Sequence, residues 1–335
     1  MKISILDDYQ DAVRKLDCFS LLAGHEVKVF NNTVKGAGQL GVRLSDSEAL
    51  VLIRERTRIN KDLLGKLPKL KLIAQTGKAG SHIDLDACTE RGVLVVDGVG
   101  SPHAAAELTW ALLMAASRRL PQYISNLKHG VWQQSGLKSS HDPLNHGVGD
   151  LLSGKTLGIW GFGKIGRMVA GYGNAFGMNV LVWGREPTLA MAREQLFDVA
   201  ADRHEFFAKS DIVTLHLRLN DDTRGIVTLE DLQAMKPTAM LVNTSRAELI
   251  APGALIKALN NSRPGLAAVD VFETEPPLAG NPMLRMENVV CTPHIGFVEK
   301  TSYEAMFSGA FRNILAYVDG APTNVVNAEV LKQRH

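Results

Sequence analysis

Apolar residues along this chain fall in short, nearly continuous runs rather than in strict alternation with polar ones. "KISIL", "EVKVF", "ALVLI", "KLIAQ" and "VLVV" occur in the first hundred residues, and "TLGIW", "NVLVW", "DIVTLHL", "AMLVN", "LAAVDV" and "NVVC" follow between residues 156 and 291. Runs of this length, rich in β-branched residues, predict strands covered on both faces. Helical patterns separate them almost throughout. Such strand–helix alternation implies right-handed crossovers and parallel sheets. The pattern therefore predicts a two-domain α/β protein with two parallel sheets.

Three other segments fill out the plan. "SPHAAAELTWALLMAASRRL" is apolar on nearly every face, which predicts a buried helix, placed at the domain junction. The stretch 138–150, "KSSHDPLNHGVGD", reads as a loop leading into the second sheet. After residue 299, Tyr303, Met306, Phe307, Ala310, Phe311, Ile314, Leu315 and Val318 make one apolar helical face, and Thr301 with Glu304 has capping-box spacing. No strand follows that helix, so it is expected to cross back to the first domain.

Composition narrows the class. The 335 residues suffice for two domains, each with its own core. Hydrophobic residues make up 45% and charged residues 21%, values of a soluble globular protein. A net charge of +2 without a basic run argues against nucleic-acid or membrane partners. Cys18, Cys88 and Cys291 are scattered with no CxxC pair, which argues against a disulfide framework and a metal site and suits a reducing cytoplasm. Cys291 stands near a candidate histidine but reads as a buried passenger thiol. "MKISILDDY" meets an acidic pair at once and reads as no signal peptide, and "LTWALLMAAS" is too short to span a bilayer. A cytoplasmic location is expected.

Chemistry enters at "TLGIWGFGKIGRMVAGYGNAFG", a strand, a Gly161-x-Gly163-x-x-Gly166 turn and a helix opening. The first glycine allows the tight turn, the second admits a pyrophosphate against the backbone, and the third lets helix and strand pack closely. Alone the glycine spacing would mark only a tight turn; with the flanking strand and helix, and a second strand ending about 20 residues on, it points to a dinucleotide.

Further ionisable residues follow predicted strands: Arg246 in "AMLVNTSRAELI", Asp270, Glu273 and Glu275 in "LAAVDVFETEP", and His294 in "NVVCTPHIG". Strand carboxyl ends line the ligand crevice of an open α/β sheet. Hydride transfer to a 2-oxo acid needs a cation for the carboxylate, a proton donor for the carbonyl oxygen, and a partner keeping that donor protonated. Arg246 supplies a bidentate fork, His294 a group that titrates near neutrality, and Glu275 a carboxylate able to fix the imidazole.

"GFGKIG", "MKPTAMLVNTSRAELI", "AAVDVFETEPPL" and "VVCTPHIGF" resemble the signature segments of the D-isomer-specific 2-hydroxyacid dehydrogenase family, which includes D-3-phosphoglycerate dehydrogenase and hydroxypyruvate and glyoxylate reductases. The resemblance implies that Arg246, Glu275 and His294 are catalytic. It implies a Rossmann NAD(P) domain, residues 103–297, inserted into a flavodoxin-like substrate domain of residues 1–102 and 298–335. It places Gly161, Phe162, Gly163, Lys164, Ile165, Gly166, Trp183, Gly184, Arg185, His216, Leu217, Thr244, Ser245, Asp270 and Gly296 at the cofactor. Substrate carboxylate is expected on the loop Lys78, Ala79 and Gly80, with Arg54 of "LIRERT" nearby. Departures from the family pattern are Ala79 for a glycine, Ser81 for an aspartate, "HLRL" for His-x-Pro-Leu, and Ala247 for the glycine after the arginine.

The resulting expectation is an NAD(P)-dependent oxidoreductase of small 2-hydroxy or 2-oxo acids, phosphoglycerate-dehydrogenase-like. It is expected as a homodimer through helix 103–119, without end-product control by an appended C-terminal module. The rivals are a formate or phosphite dehydrogenase on the same scaffold, and a nucleotide-gated corepressor-like binding protein. By alignment with the family, the acid that holds the adenosine ribose in NAD sites is replaced by Gly184, followed by Arg185, which points toward NADP(H). Thr188 and Arg193 are possible second partners for the extra phosphate.

Overall fold

The computed structural model describes residues 1–136 and 147–332, so most of the loop expected at 138–150 lies outside the described residues. The chain forms two compact units, Met1–Ser101 with Phe297–His335, and Pro102–Gly296. The first unit begins with β1 (Lys2–Ile5), β2 (Glu26–Val29), β3 (Ala49–Leu52), β4 (Leu72–Gln75) and β5 (Leu94–Val96). Helices α1 (Ala37–Leu44), α2 (Lys61–Gly65) and α3 (Leu85–Glu90) connect the later strands. All pairings are parallel, in the order β2-β1-β3-β4-β5 of a flavodoxin-like sheet.

Within these strands successive residues face opposite ways, and both faces are apolar. Ile3, Ile5, Ala49, Val51, Leu72 and Ala74 pack on one side, while Leu50, Leu52 and Ile73 pack on the other with Leu40, Leu44 and Leu63 of α1 and α2. That is why the runs are continuous in sequence.

The second unit opens with α4 (Pro102–Ser117) and α5 (Leu120–Lys128). Its sheet then builds through β6 (Thr156–Trp160), α6 (Lys164–Ala175), β7 (Asn179–Trp183), α7 (Glu186–Glu194), β8 (Asp198–Val199), α8 (Arg203–Lys209) and β9 (Ile212–Leu215). It closes with α9 (Leu229–Ala234), β10 (Met240–Asn243), α10 (Ala254–Asn260), β11 (Leu266–Val269) and β12 (Val289–Cys291). The order β12-β11-β10-β9-β6-β7-β8 is that of a dinucleotide-binding Rossmann sheet, whose strand order reverses between β6 and β9. The chain then returns to the first unit with α11 (Lys300–Val318) and α12 (Glu329–Lys332).

Three local differences from the sequence reading have simple causes. β8 is a two-residue edge strand, too short to leave an apolar run. The apolar helix stops at Ser117, and Arg119, in a left-handed conformation, starts α5 as a separate helix. Within its own unit α4 packs on α6 and on β10–β12, with Ala106, Leu112, Leu113 and Ala116 in the core. The cap of α11 is Glu299, not Thr301. Its carboxylate accepts from the Thr301 and Ser302 amides, while Glu304 accepts from the Asp17 and Cys18 amides at the start of a 3-10 turn. Among the described residues no helix is long and apolar enough to cross a membrane.

Candidate active site

Pairing brings the last residues of six strands into one row. Trp183 pairs with Trp160, Trp160 with Leu215, Leu215 with Asn243, Asn243 with Val269, and Val269 with Cys291. Gly184, Gly161, His216, Thr244, Asp270 and Thr292 are the residues just beyond that row. Arg246, Glu275 and His294 lie within a few residues more.

The dinucleotide turn starts where Gly161 donates to the Trp183 carbonyl and His216 to the Trp160 carbonyl, at 3.2 and 2.8 Å. Gly161 has φ +100°, and a Cβ there would stand 2.7 Å from the His216 carbonyl oxygen and 3.2 Å from Leu217, so the turn requires glycine. A Cβ on Gly166 would overlap the Gly161 carbonyl, which is the close helix–strand contact expected of the third glycine. Gly163 differs: nothing lies within 4 Å of its added Cβ, and as N-cap of α6 it provides no side-chain hydrogen bond. The first turn of α6, with Lys164 and Ile165, thus presents amides and a positive dipole end to open space. Those features fit a dinucleotide pyrophosphate. Phe162 is buried in the core against Phe197, so only its backbone belongs to the turn. Burial holds the His216 imidazole down at about 4, hence neutral near pH 7, and its Nε2 is buried without a partner among the described residues.

On the far side of the row, Glu275 Oε2 lies 2.6 Å from His294 Nδ1, and Glu275 Oε1 accepts from the Phe272 amide at 3.0 Å. Burial works to raise the Glu275 carboxyl. The His294 hydrogen bond and charge, the Phe272 amide and the Arg246 charge outweigh it and hold the group below the usual carboxylate range. Arg246, Glu275 and His294 are therefore brought together. Arg246 also donates to the Ser245 carbonyl at 2.7 Å, and its turn is held by Asn243, which accepts from the Ser245 amide and donates to the Arg246 carbonyl. Thr244 is tied through its hydroxyl to Thr109 of α4 at 2.6 Å. Glu273 does different work: it accepts from the Gly253 amide ahead of α10.

Asp270 is fully buried and accepts from the Thr292 hydroxyl and the Ile295 amide on one oxygen and from the Gly296 amide on the other, at 2.6, 2.8 and 2.8 Å. It thus ties the end of β11 to both sides of His294, whose φ of +52° is a left-handed conformation uncommon outside glycine. Burial pushes the Asp270 carboxyl above the usual range, opposed by those donors and the His294 charge. The family resemblance put Asp270 and Gly296 at the cofactor; their hydrogen bonds give them the further task of holding the histidine loop. Burial likewise pushes the Cys291 thiol up to about 11, leaving no thiolate near neutrality, and Cys18 and Cys88 to about 12.

Arg54, Lys78, Ala79 and Gly80 belong to the other unit and form a cluster of their own. Arg54 is left-handed, with φ +53°; its amide donates to Thr76 Oγ1 and its carbonyl accepts from Gln75. Its guanidinium lies 5.6 Å from the Phe297 ring centre and against Gly77, where any Cβ would overlap it. Arg56 was not singled out in the sequence, yet its guanidinium lies over both Tyr9 and Phe297, at 4.5 and 5.2 Å. The loop amide of Ala79 donates to Asp97 Oδ1 at 2.6 Å, and Lys78 Nζ pairs with Asp97 Oδ2 at 2.9 Å. Asp97 was also missed; only its place directly after a strand could have signalled it.

Residues 110–296 match the family model for the NAD binding domain of D-isomer specific 2-hydroxyacid dehydrogenases. The chain is 37% identical over 279 residues to a glyoxylate reductase of Aeropyrum pernix, covering 83% of this chain and 82% of that protein. It is 34% identical over 336 residues to a D-3-phosphoglycerate dehydrogenase of Methanocaldococcus jannaschii, covering 99% of this chain and 60% of that longer protein. Among solved structures, a phosphoglycerate oxidoreductase from Vibrio cholerae shares 54% identity at a TM-score of 0.92, covering 96% of this chain and all of that one. An oxidoreductase from Ralstonia solanacearum shares 62% at 0.97, covering 98% of each. With the Rossmann strand order, the glycine turn and the Arg246–Glu275–His294 cluster already in place, these matches make the chain a member of the D-isomer specific 2-hydroxyacid dehydrogenase family.

Proposed function

We propose that this protein interconverts a small 2-oxo acid and its D-2-hydroxy acid with NADP(H). The observation that carries the reading is the His294–Glu275 contact of 2.6 Å within reach of the Arg246 charge. A bound nicotinamide dinucleotide supplies the hydride for reduction. Arg246 orients the substrate carboxylate through its planar fork. Glu275 engages Nδ1, so proton exchange with the substrate oxygen falls to Nε2 of His294. Arg54 and the loop at Lys78–Gly80 are the proposed anion-holding groups of the first unit. A corepressor-like role without turnover is the reading to eliminate.

Cofactor preference rests on Gly184. A Cβ there would lie 2.9 Å from Thr188 Cγ2 and 3.1 Å from Thr188 Cβ, so Thr188 crowds the space a ribose-binding acid would need. Arg185 is exposed and begins α7 without a side-chain capping bond, available to a 2′-phosphate. Arg193 pairs with Glu186 at 2.7 Å in a solvent-exposed ion pair, so it would have to leave Glu186 to serve as a second partner.

Resemblance to the family also supports a homodimer. The expected interface is helix 103–119, and Leu120, Ile124 and Leu127 of the adjoining α5, which are 44–56% exposed, extend apolar surface from its end.

Four experiments follow from these assignments. Turnover of a 2-oxo acid panel with NADPH should be found, and His294→Ala should lower kcat by about 10²-fold or more with cofactor affinity nearly unchanged; wild-type rates in that variant would remove His294 from the mechanism. Glu275→Gln removes the anion facing the imidazole, so the alkaline limb of the reductive pH–rate profile should move to lower pH, whereas Glu273→Gln should leave it in place; the reverse pattern would mean the carboxylates are misassigned. Wild-type kcat/KM should favour NADPH over NADH by about 10-fold or more, the scale of one charged hydrogen bond. Gly184→Asp combined with Thr188→Ala should shift that preference toward NADH, and a clear NADH preference in the wild type would sink the assignment. Sedimentation should show a dimer that Ile124→Glu with Leu127→Glu converts to monomer; a monomeric wild type would rule the dimer out.

A further inference from the structure

Asp97 stands at the centre of a hydrogen-bonded chain that the proposed reaction does not use. It directly follows β5, and its side chain is 16% exposed. One carboxylate oxygen accepts from the Ala79 amide at 2.6 Å, and the other meets Lys78 Nζ at 2.9 Å. Its backbone is held just as firmly. The Asp97 amide donates to the Asn324 carbonyl at 2.9 Å, and the Asp97 carbonyl accepts from Asn313 Nδ2 of α11 at 2.8 Å. Asn313 is buried, and its Oδ1 accepts from the Thr323 hydroxyl and from Asn324 Nδ2. Beyond this, Val325 bridges to Val96, and Asn327 caps the open edge of β5 by accepting from the Val95 amide and donating to the Val93 carbonyl.

We propose that Asp97 is a positioning residue for the acid-binding loop, fastening residues 78–80 to a scaffold made of α11 and the segment 323–327. The proposal rests on the reading that this loop holds the substrate carboxylate. A carboxylate accepting a backbone amide makes a strong, directional hydrogen bond. Here it fixes the loop at its middle residue, which leaves the amides of Lys78 and Gly80 to meet an anion. Lys78 has a second task in this arrangement. Its ammonium balances the Asp97 charge, which would otherwise repel an incoming carboxylate. Gly98, next in sequence, completes the fastening: its amide donates to the Gly77 carbonyl at 2.7 Å, and any Cβ there would overlap the Gln75 carbonyl oxygen. The loop is thereby held just before its first residue and at its centre by the two residues that follow β5.

Asp97→Ala and Asp97→Asn separate the clamp from general stability, because asparagine keeps an oxygen for the Ala79 amide. In Asp97→Ala, KM for the 2-oxo acid should rise about 10-fold or more, the scale of one lost charged hydrogen bond, with KM for the reduced cofactor unchanged and kcat within a few-fold. Asp97→Asn should recover most of that loss. Hydrogen–deuterium exchange of a peptide covering residues 76–82 reads the clamp without any turnover: exchange should speed up in Asp97→Ala and much less in Asp97→Asn. Unchanged exchange in Asp97→Ala overturns the clamp. Faster exchange with an unchanged acid KM, or equal rises in both KM values, overturns its link to substrate. If the wild type turns over no 2-oxo acid, the proposed reaction fails while the exchange experiment still decides whether Asp97 holds the loop.

Discussion

In-register parallel pairing puts Trp183, Trp160, Leu215, Asn243, Val269 and Cys291 on one level, and the chemistry of the second unit depends on that level being kept. A slip of one residue turns a strand's side chains to the opposite face. Both faces of this sheet are apolar, so hydrophobic pattern alone would oppose a slip only weakly. Polar contacts at the strand ends supply the missing discrimination. Asp211, just before β9, accepts from the Thr156 amide at the start of β6 and pairs with Lys236. At the other end Gly161 and His216 donate to the carbonyls of Trp183 and Trp160. The central strands are pinned at both ends, and the loops leaving them start from defined points.

Two carboxylates, the fully buried Asp270 and the half-buried Glu275, then act on one histidine in different ways. Asp270 has three donors from residues on either side of His294, so its work is geometric. Left-handed backbone outside glycine costs on the order of 1–3 kcal/mol and persists where neighbours over-determine it; three hydrogen bonds to one carboxylate are such neighbours. Glu275 meets the imidazole itself. The directions of the two groups agree with this division. Burial drives Asp270 up, while Glu275, with the imidazole as partner and the Arg246 charge nearby, is held down and stays ionised beside its histidine.

Much of this was legible in the sequence because it rests on local rules. Continuous β-branched runs revealed all the longer strands, and the glycine spacing revealed the dinucleotide turn, since both are consequences of backbone sterics and two-sided burial. Arg246, Glu275 and His294 could be picked out by chemistry at strand ends. What stayed hidden depends on contacts distant in sequence. Asp97 touches residues nearly 20 positions before it and more than 200 after it. Glu304 leaves its own helix to meet Asp17 and Cys18, which is why a capping-box spacing at Thr301 misled. The left-handed backbones of Arg54 and His294 have no compositional mark, because neither is a glycine or an asparagine.

Glycines in the dinucleotide region show how one residue type answers different demands. Gly166 is required by the Gly161 carbonyl that any side chain would overlap, and Gly161 by its positive φ and the His216 carbonyl. Gly163 faces open space, so its lack of a side chain keeps room for something other than protein. Gly184 belongs to neither kind: its missing Cβ is answered by Thr188, which approaches from the first turn of α7. Gly184 and Thr188 are thus two halves of one packed pair. An aspartate introduced at 184 would have to displace the threonine before its carboxylate could extend past the strand end, so the two positions constrain each other, and the exposed Arg185 stands beside them.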